Sequence, residues 1–179
     1  MFSRRRTSST PLDGVDAVLA DLDGVVYAGA GALPWAVESL SALGERRLGF
    51  ITNNASRTDE AVAEHLRELG LATQASDVVT SPQAATRLLR TRVEPGATIL
   101  VVGGEGLVVE LENAGYAVTR SAEDSPAAVV QGFAPDVGWK QLAEAAFALK
   151  TPEDEGGIPW IATNTDWTIP QARGIAPGN

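Results

Sequence analysis

The sequence predicts an α/β protein with parallel strands, and three features point there. Short apolar runs alternate with stretches of helical period along most of the 179 residues. Glycine stops the early helical stretches. Two of the apolar runs end in polar clusters, Asp21-Leu22-Asp23-Gly24 and Thr52-Asn53-Asn54, at the strand ends where a parallel sheet opens onto its ligand crevice.

The first run, Val15 to Ala20, reads as a buried strand. Val25 to Leu33 is rich in Gly and Ala and reads as a loop or small hairpin. Pro34 suits a first helical turn; Ala36, Leu40 and Leu43 share a face, and Gly44 ends it. Leu48 to Ile51 is a second short strand. Ser56 and Thr58 are both candidate caps for the next helix, with Asp59 and Glu60 in its first turn. Val62, Leu66 and Leu69 form its apolar stripe, and Gly70 ends it. A strand at Asp77 to Thr80 and a helix from Pro82 to about Arg90 lead, through a turn at Pro95-Gly96, into a second α/β series. Its strands are Thr98 to Val102, Ala127 to Val130 and Trp160 to Thr163. Its helices run from about Gly106 to Ala114 and from about Trp139 to Lys150. The remainder reads as an irregular Pro/Gly tail.

Composition narrows the function. The net charge of −9 argues against a nucleic-acid surface. The absence of cysteine excludes disulfides, thiolate zinc and thiol nucleophiles, and fits a reducing cytoplasm. Residues 1–12 hold Arg4-Arg5-Arg6 without a following apolar core, so they read as a solvated tail and not a secretion signal. No run approaches transmembrane length.

The two polar strand ends carry the chemistry. Apolar strands rarely bury unpaired charge, so Asp21 and Asp23 call for a ligand. Residues two apart on a strand point the same way, but Gly24 turns the chain and can aim the two carboxylates differently. Carboxylates repel an anionic substrate, so a phosphate substrate implies a divalent cation such as magnesium. One aspartate can then attack phosphorus. The other can protonate the leaving group and later activate water.

Asp21-Leu22-Asp23-Gly24-Val25 and Ile51-Thr52-Asn53-Asn54-Ala55-Ser56-Arg57 resemble the first two motifs of the haloacid dehalogenase-like phosphatases. The likeness is greatest to class IIA, the group of NagD, 4-nitrophenyl phosphatases, pyridoxal phosphatase and actinobacterial glycerol-3-phosphate phosphatases. Asn164-x-Asp166, Pro170, Gly174 and Pro177-Gly178-Asn179 resemble the end of that group's inserted cap. The resemblance implies a Rossmann-like parallel-sheet core, incomplete here (residues 13–80), with an α/β cap inserted after it (residues 81–179). By the same resemblance Asp21 would be the nucleophile and a magnesium ligand. Asp23 would be the general acid/base and would lend its backbone carbonyl to the metal, and Gly24 would permit the turn. Thr52 and Asn53 would bind the phosphoryl group with Asn54 close by, and Arg57 would reach the substrate. Asn164, Asp166, Trp167 and Ile169 would face the leaving group of the substrate, a small phosphorylated metabolite such as glycerol phosphate. No nucleic-acid or membrane partner is implied; a homodimer through the cap is.

Two family motifs have no match. The only lysines, Lys140 and Lys150, fall on helices of the second series and not in a Gly-Lys motif, and no acidic Gly-Asp run follows. The chain therefore reads as the front part of such an enzyme, with little activity of its own and an open hydrophobic edge on its core sheet. A receiver domain is a rival α/β class, but its phosphorylated aspartate lies on a later strand than its acidic pair. A non-catalytic binding or assembly fragment is the third reading. Gly103-Gly104-Glu105-Gly106 reads as a tight strand-to-helix turn, because Val109 occupies the place of a dinucleotide loop's last small residue. His65 falls on an exposed helical face. Glu153 to Glu155 reads as a surface turn. Trp35, Trp139 and Trp160 read as core or interface residues, and Trp167 is balanced between packing and ligand contact.

Overall fold

A computed structural model describes residues 10–171 and 174–178; Asn179 and most of the N-terminal tail lie outside that range. Two parallel sheets organise the chain. The first joins β1 (Ala17–Asp21), β4 (Arg47–Thr52) and β5 (Val78–Thr80) in the order β1-β4-β5. A small hairpin, β2 (Tyr27–Ala28) and β3 (Gly31–Ala32), lies between β1 and helix α1 (Ala36–Ser41). Helix α2 (Asp59–Glu68) returns the chain from β4 toward β5. Phe50, Val78 and Ala20 from the strands bury Val62, Ala63 and Leu66 of α2. Thr58, not Ser56, caps α2, its hydroxyl accepting the Ala61 N–H at 3.2 Å.

The second sheet runs β7 (Ala117–Thr119), β6 (Thr98–Val102), β8 (Ala128–Gln131), β9 (Trp160–Ala162), all parallel. Its two faces are covered. Helices α3 (Ser81–Leu89) and α4 (Glu105–Asn113) cover Ile99, Val101, Ala128, Val130 and Ile161. Helix α5 (Trp139–Ala148) lays Ala145 on Leu100, Val102 and Val129. Alternate residues along each strand thus serve alternate cores. Thr80 and Gln83 form a capping box that starts α3 directly at the end of β5.

Several expectations are corrected. The tail is not irregular: β10 (Thr168–Gln171) and β11 (Gly174–Pro177) pair antiparallel. The Gly178 N–H bonds the Trp167 carbonyl at 2.8 Å. That bond places Pro170 and Pro177 at the alternate, non-hydrogen-bonded pairs of the register, where a missing N–H does no harm. Strand β7 was likewise not signalled, being only three residues long. Pro34 precedes the Trp35 N-cap of α1 and is not in its first turn. The first strand is not buried throughout. It lies at the sheet edge, and Leu19, Ile51 and Val79 are exposed on one face. Among the described residues nothing pairs with the outer edge of β1. Trp35, Trp139 and Trp160 are all exposed, so none is a core residue.

Trp35 adopts φ 66°, a left-handed conformation unusual for a bulky residue. Such strain is of order 1–3 kcal/mol, and the exposed indole recovers little of it by burial. Trp35→Gly should therefore leave the melting temperature unchanged or raise it. A fall of the size expected for removing a core aromatic would contradict this; a thermal melt followed by circular dichroism decides.

Candidate active site

Asp21 is the last residue of β1, in register with Ile51, so the ends of β1 and β4 lie side by side. The Asp21 carboxylate accepts the Leu22 N–H at 2.7 Å. The chain then turns back on itself. The N–H groups of Val25, Val26 and Tyr27 converge on the Leu22 carbonyl, and Gly24 takes φ 82°. A side chain at that φ would be strained, which accounts for the glycine. The turn lifts Asp23 off the strand and aims it at the neighbouring loop, where the Asn54 side chain hydrogen-bonds it.

The loop after β4 is ordered by its own side chains. The Thr52 hydroxyl, buried at the strand end, accepts the Asn54 N–H at 3.1 Å. The Asn54 carbonyl oxygen accepts from both the N–H and the hydroxyl of Ser56, at 2.9 and 2.7 Å. The Asn53 carbonyl accepts from the Ser81 hydroxyl at 2.8 Å and from the Asn164 side-chain amide at 2.9 Å. The Asn53 side-chain amide donates to the Asp166 carboxylate. Asp166 is held in turn, its N–H bonded to the Asn164 side-chain oxygen at 3.0 Å. Gly178 closes behind it: a Cβ there would fall 1.8 Å from the Asp166 carbonyl oxygen.

Partial burial pushes the Asp23 carboxyl above its ordinary value. The Asn54 hydrogen bond opposes this, the Asp21 charge reinforces it, and Arg57 and then His65 draw it back. His65 is not on an exposed face. Its side chain is only 14% exposed, because it sits three residues after Val62 and one before Leu66, at the border of the apolar stripe. Its ring meets Tyr27 edge-on at 4.9 Å, and Nδ1 lies 3.6 Å from Glu68. Burial, and then the Asp23 charge, push the Tyr27 phenol up to about 12.

Of the residues singled out from sequence, Asp21, Asp23, Gly24, Thr52, Asn53, Asn54 and Arg57 gather at the two strand ends. Asn164 and Asp166 join them through Asn53. Trp167 does not join by packing: it is 92% exposed beside the loop. Ile169 is half-buried in β10. Two positioning residues were missed. Gly106, in the first turn of α4, lies against the Arg57 backbone, where a Cβ would sit 2.8 Å from the Arg57 carbonyl carbon. Gly132, just after β8, lies against Ala55, where a Cβ on residue 132 would sit 3.0 Å from the Ala55 Cβ. The glycine run at Gly103 to Gly106 thus serves close packing, and its spacing after a strand was the available signal.

The donor set is hard oxygen: the carboxylates of Asp21 and Asp23 and nearby backbone carbonyls. Magnesium is commonly held by one or two carboxylates, with water and substrate oxygens completing its shell, so these residues fit part of such a site. Among the described residues no group of three or more His, Cys, Asp or Glu side chains forms a metal cage.

Comparison with known proteins agrees with this geometry. A family model described as haloacid dehalogenase-like hydrolase matches residues 18–117. The chain is 47% identical over 164 residues to a D-glycerol 3-phosphate phosphatase of Mycobacterium tuberculosis, covering 92% of this chain and 45% of that protein. It is 33% identical over 165 residues to an acid sugar phosphatase of Staphylococcus epidermidis, covering 91% and 61%. It superposes on the crystal structure of a Mycobacterium tuberculosis glycerol phosphate phosphatase in complex with magnesium with a TM-score of 0.84, at 46% identity, over 92% of this chain and 48% of that one. With a Thermotoga maritima 4-nitrophenylphosphatase the TM-score is 0.81 at 28% identity, over 93% and 61%. The chain therefore spans about half to three-fifths of the length of these relatives.

The close approach at Gly106 yields a test. Gly106→Val must push α4 off the Arg57 backbone, an overpacking change expected to destabilise by roughly 1–3 kcal/mol. Denaturant unfolding should show it. An unchanged midpoint would mean that the α4 contact does not hold the Ser56–Arg57 loop.

Proposed function

We propose, from the premise that this chain belongs to the class IIA haloacid dehalogenase-like hydrolases, that its parent protein is a magnesium-dependent phosphatase of small phosphomonoesters. The observation that carries the reading is the meeting of Asp21, Asp23, Thr52 and Asn54 at two adjacent parallel strand ends. Residues 13–80 would be the first portion of the core and residues 81–179 the cap. The packing of α3 on the second sheet supports that division.

The carboxylate of Asp21 attacks phosphorus, forming an acyl phosphate as the bond to the leaving oxygen breaks. Asp23, with its raised carboxyl, gives that oxygen its proton. It then takes a proton from water, whose oxygen attacks the acyl phosphate and frees Asp21. The Thr52 hydroxyl and the amides of Asn53 and Asn54 are the neutral donors for the phosphoryl oxygens. Asn53 must exchange its Asp166 bond to serve there. Asp21 and the Asp23 carbonyl would hold magnesium, which supplies charge neutralisation for the phosphoryl oxygens. Polyol phosphates such as glycerol phosphate are the favoured substrates, in line with the names of the two curated relatives. A cytoplasmic setting fits a chain without cysteine. A homodimer through the cap belongs to the same reading.

A second reading, a binding or assembly fragment without turnover, is favoured for this chain by itself. Only the Asp21 carboxylate and the Asp23 carbonyl are offered to the expected metal site by the described residues. The test is magnesium-dependent hydrolysis of glycerol phosphate by the full-length parent protein, with this chain alone as comparison. Turnover should require the full length, and Asp21→Asn should lower kcat by at least about 10³-fold. Near-normal turnover by that variant would end the proposal.

Substrate choice is separately testable. Replacing Trp167 and Ile169 in the full-length protein should change relative kcat/KM among glycerol, nucleotide and pyridoxal phosphates more than it changes phosphoenzyme formation. An unaltered preference across that panel would remove both residues from the specificity surface.

A further inference from the structure

The second sheet has a crevice of its own. From β6 the chain goes first to β7 on one side and then to β8 on the other. Helix α4 follows β6 on one face of the sheet, and α5 follows β8 on the opposite face. Where connections part in this way, the carboxyl ends of parallel strands open a place for a ligand. A cleft of about 680 Å³ lies there, within the roughly 300–1,000 Å³ usual for small-ligand sites. One wall is formed by Gly103 after β6 and by Thr119 to Ser121 at the end of β7; the other is formed by Asp136 and the first two turns of α5. It shares no residue with the site at Asp21 and Asn53.

The lining is charged with both signs. Arg120, Lys140, Asp124, Asp136 and Glu144 all face the cleft, yet among the described residues no ion pair joins any two of them. Most are anchored locally instead. The Arg120 guanidinium donates to the Val101 and Gly103 carbonyls at 2.7 and 3.0 Å. Glu144 accepts the Ala122 N–H at 2.7 Å, and Asp124 accepts the Thr119 hydroxyl. Gln141 accepts the Gly138 N–H at 3.1 Å and donates to the Asp136 carbonyl at 3.2 Å, which fixes the entry to α5. The Lys140 ammonium and the Asp136 carboxylate have no hydrogen-bond partner among the described residues. The cleft thus offers cations and carboxylates that do not neutralise one another.

We propose that this cleft binds a dibasic amino acid such as arginine or lysine, its carboxylate against Arg120 and Lys140 and its two cationic groups toward Asp124, Asp136 and Glu144. Three carboxylates against two cations leave the lining with one net negative charge. A ligand of net charge +1 balances it, and a phosphate or dicarboxylate does not. A polyamine would satisfy the acids but leave both cations without a counter-charge. The site does not depend on the phosphatase reading.

Isothermal titration calorimetry with L-arginine and L-lysine tests the proposal, on this chain and on the full-length protein. Both ligands should bind with Kd of about 1 mM or tighter. L-glutamate, with an anion in place of the second cation, and 1,4-diaminobutane, without the carboxylate, should bind at least about tenfold more weakly. Lys140→Gln and Asp136→Asn should each weaken arginine binding about fivefold with an unchanged circular dichroism spectrum, since neither charged group holds any part of the fold. Failure of both amino acids to bind overturns the proposal. So does 1,4-diaminobutane or glutamate binding as tightly as arginine, and so does arginine binding indifferent to both substitutions. Binding to this chain but not to the full-length protein also overturns it, since the remainder of the protein would then fill the cleft.

Discussion

The backbone carbonyl of Asn53 is the point on which the site's geometry depends. It takes two hydrogen bonds, one from Ser81 at the start of α3 and one from Asn164 after β9. Ser81 lies where the chain passes from its first sheet to its second, and Asn164 where it leaves the second sheet for the terminal hairpin. On the other side of the same loop, Gly132 and Gly106 bring the ends of β8 and α4 into backbone contact with Ala55 and Arg57. Each hydrogen bond is worth only about 0.5–1.5 kcal/mol net. The loop is nevertheless gripped from both sheets at once, and that fixes where the Thr52 hydroxyl and the Asn54 amide point. If the site meets a phosphoryl group in one orientation, as proposed, it needs this kind of restraint more than it needs strength.

Electrostatics explains the chemistry the loop is held for. Two carboxylates at one strand end repel each other, and at Asp23 the Asn54 amide, Arg57 and then His65 offset that repulsion. The chain as a whole is acidic. An anion could approach this crevice only with a cation present, and the oxygen donors suit a hard one. On the proposed reading, the burial that raises the Asp23 carboxyl suits it to give a proton, while Asp21 at the strand end is the group left to attack.

Much of this was legible in the residues. The strand-helix alternation, the Gly24 turn and the polar ends of β1 and β4 were all written in period and punctuation. Asn164 and Asp166 stood out through likeness to a known cap ending, but their hydrogen bonds to Asn53 did not. What escaped had physical reasons. His65 lies at the border of the stripe, where one residue of rotation decides between solvent and Tyr27. The hairpin of β10 and β11 carries two prolines, which argue against a strand until the register shows their nitrogens facing outward. Gly106 and Gly132 act through backbone contacts some 50 to 75 positions distant along the chain, which no local pattern encodes. Trp35, Trp139 and Trp160 looked like core or interface by type, yet all three are exposed, because residue type alone does not say which face of an element a ring occupies.

The most direct measurement of the central claim is covalent. The full-length protein, mixed with glycerol phosphate and magnesium and quenched in acid, should yield a phosphorylated peptide by mass spectrometry, with the phosphate on Asp21. Phosphate on another residue, or steady turnover with no phosphopeptide from the β1 strand end, would contradict the account.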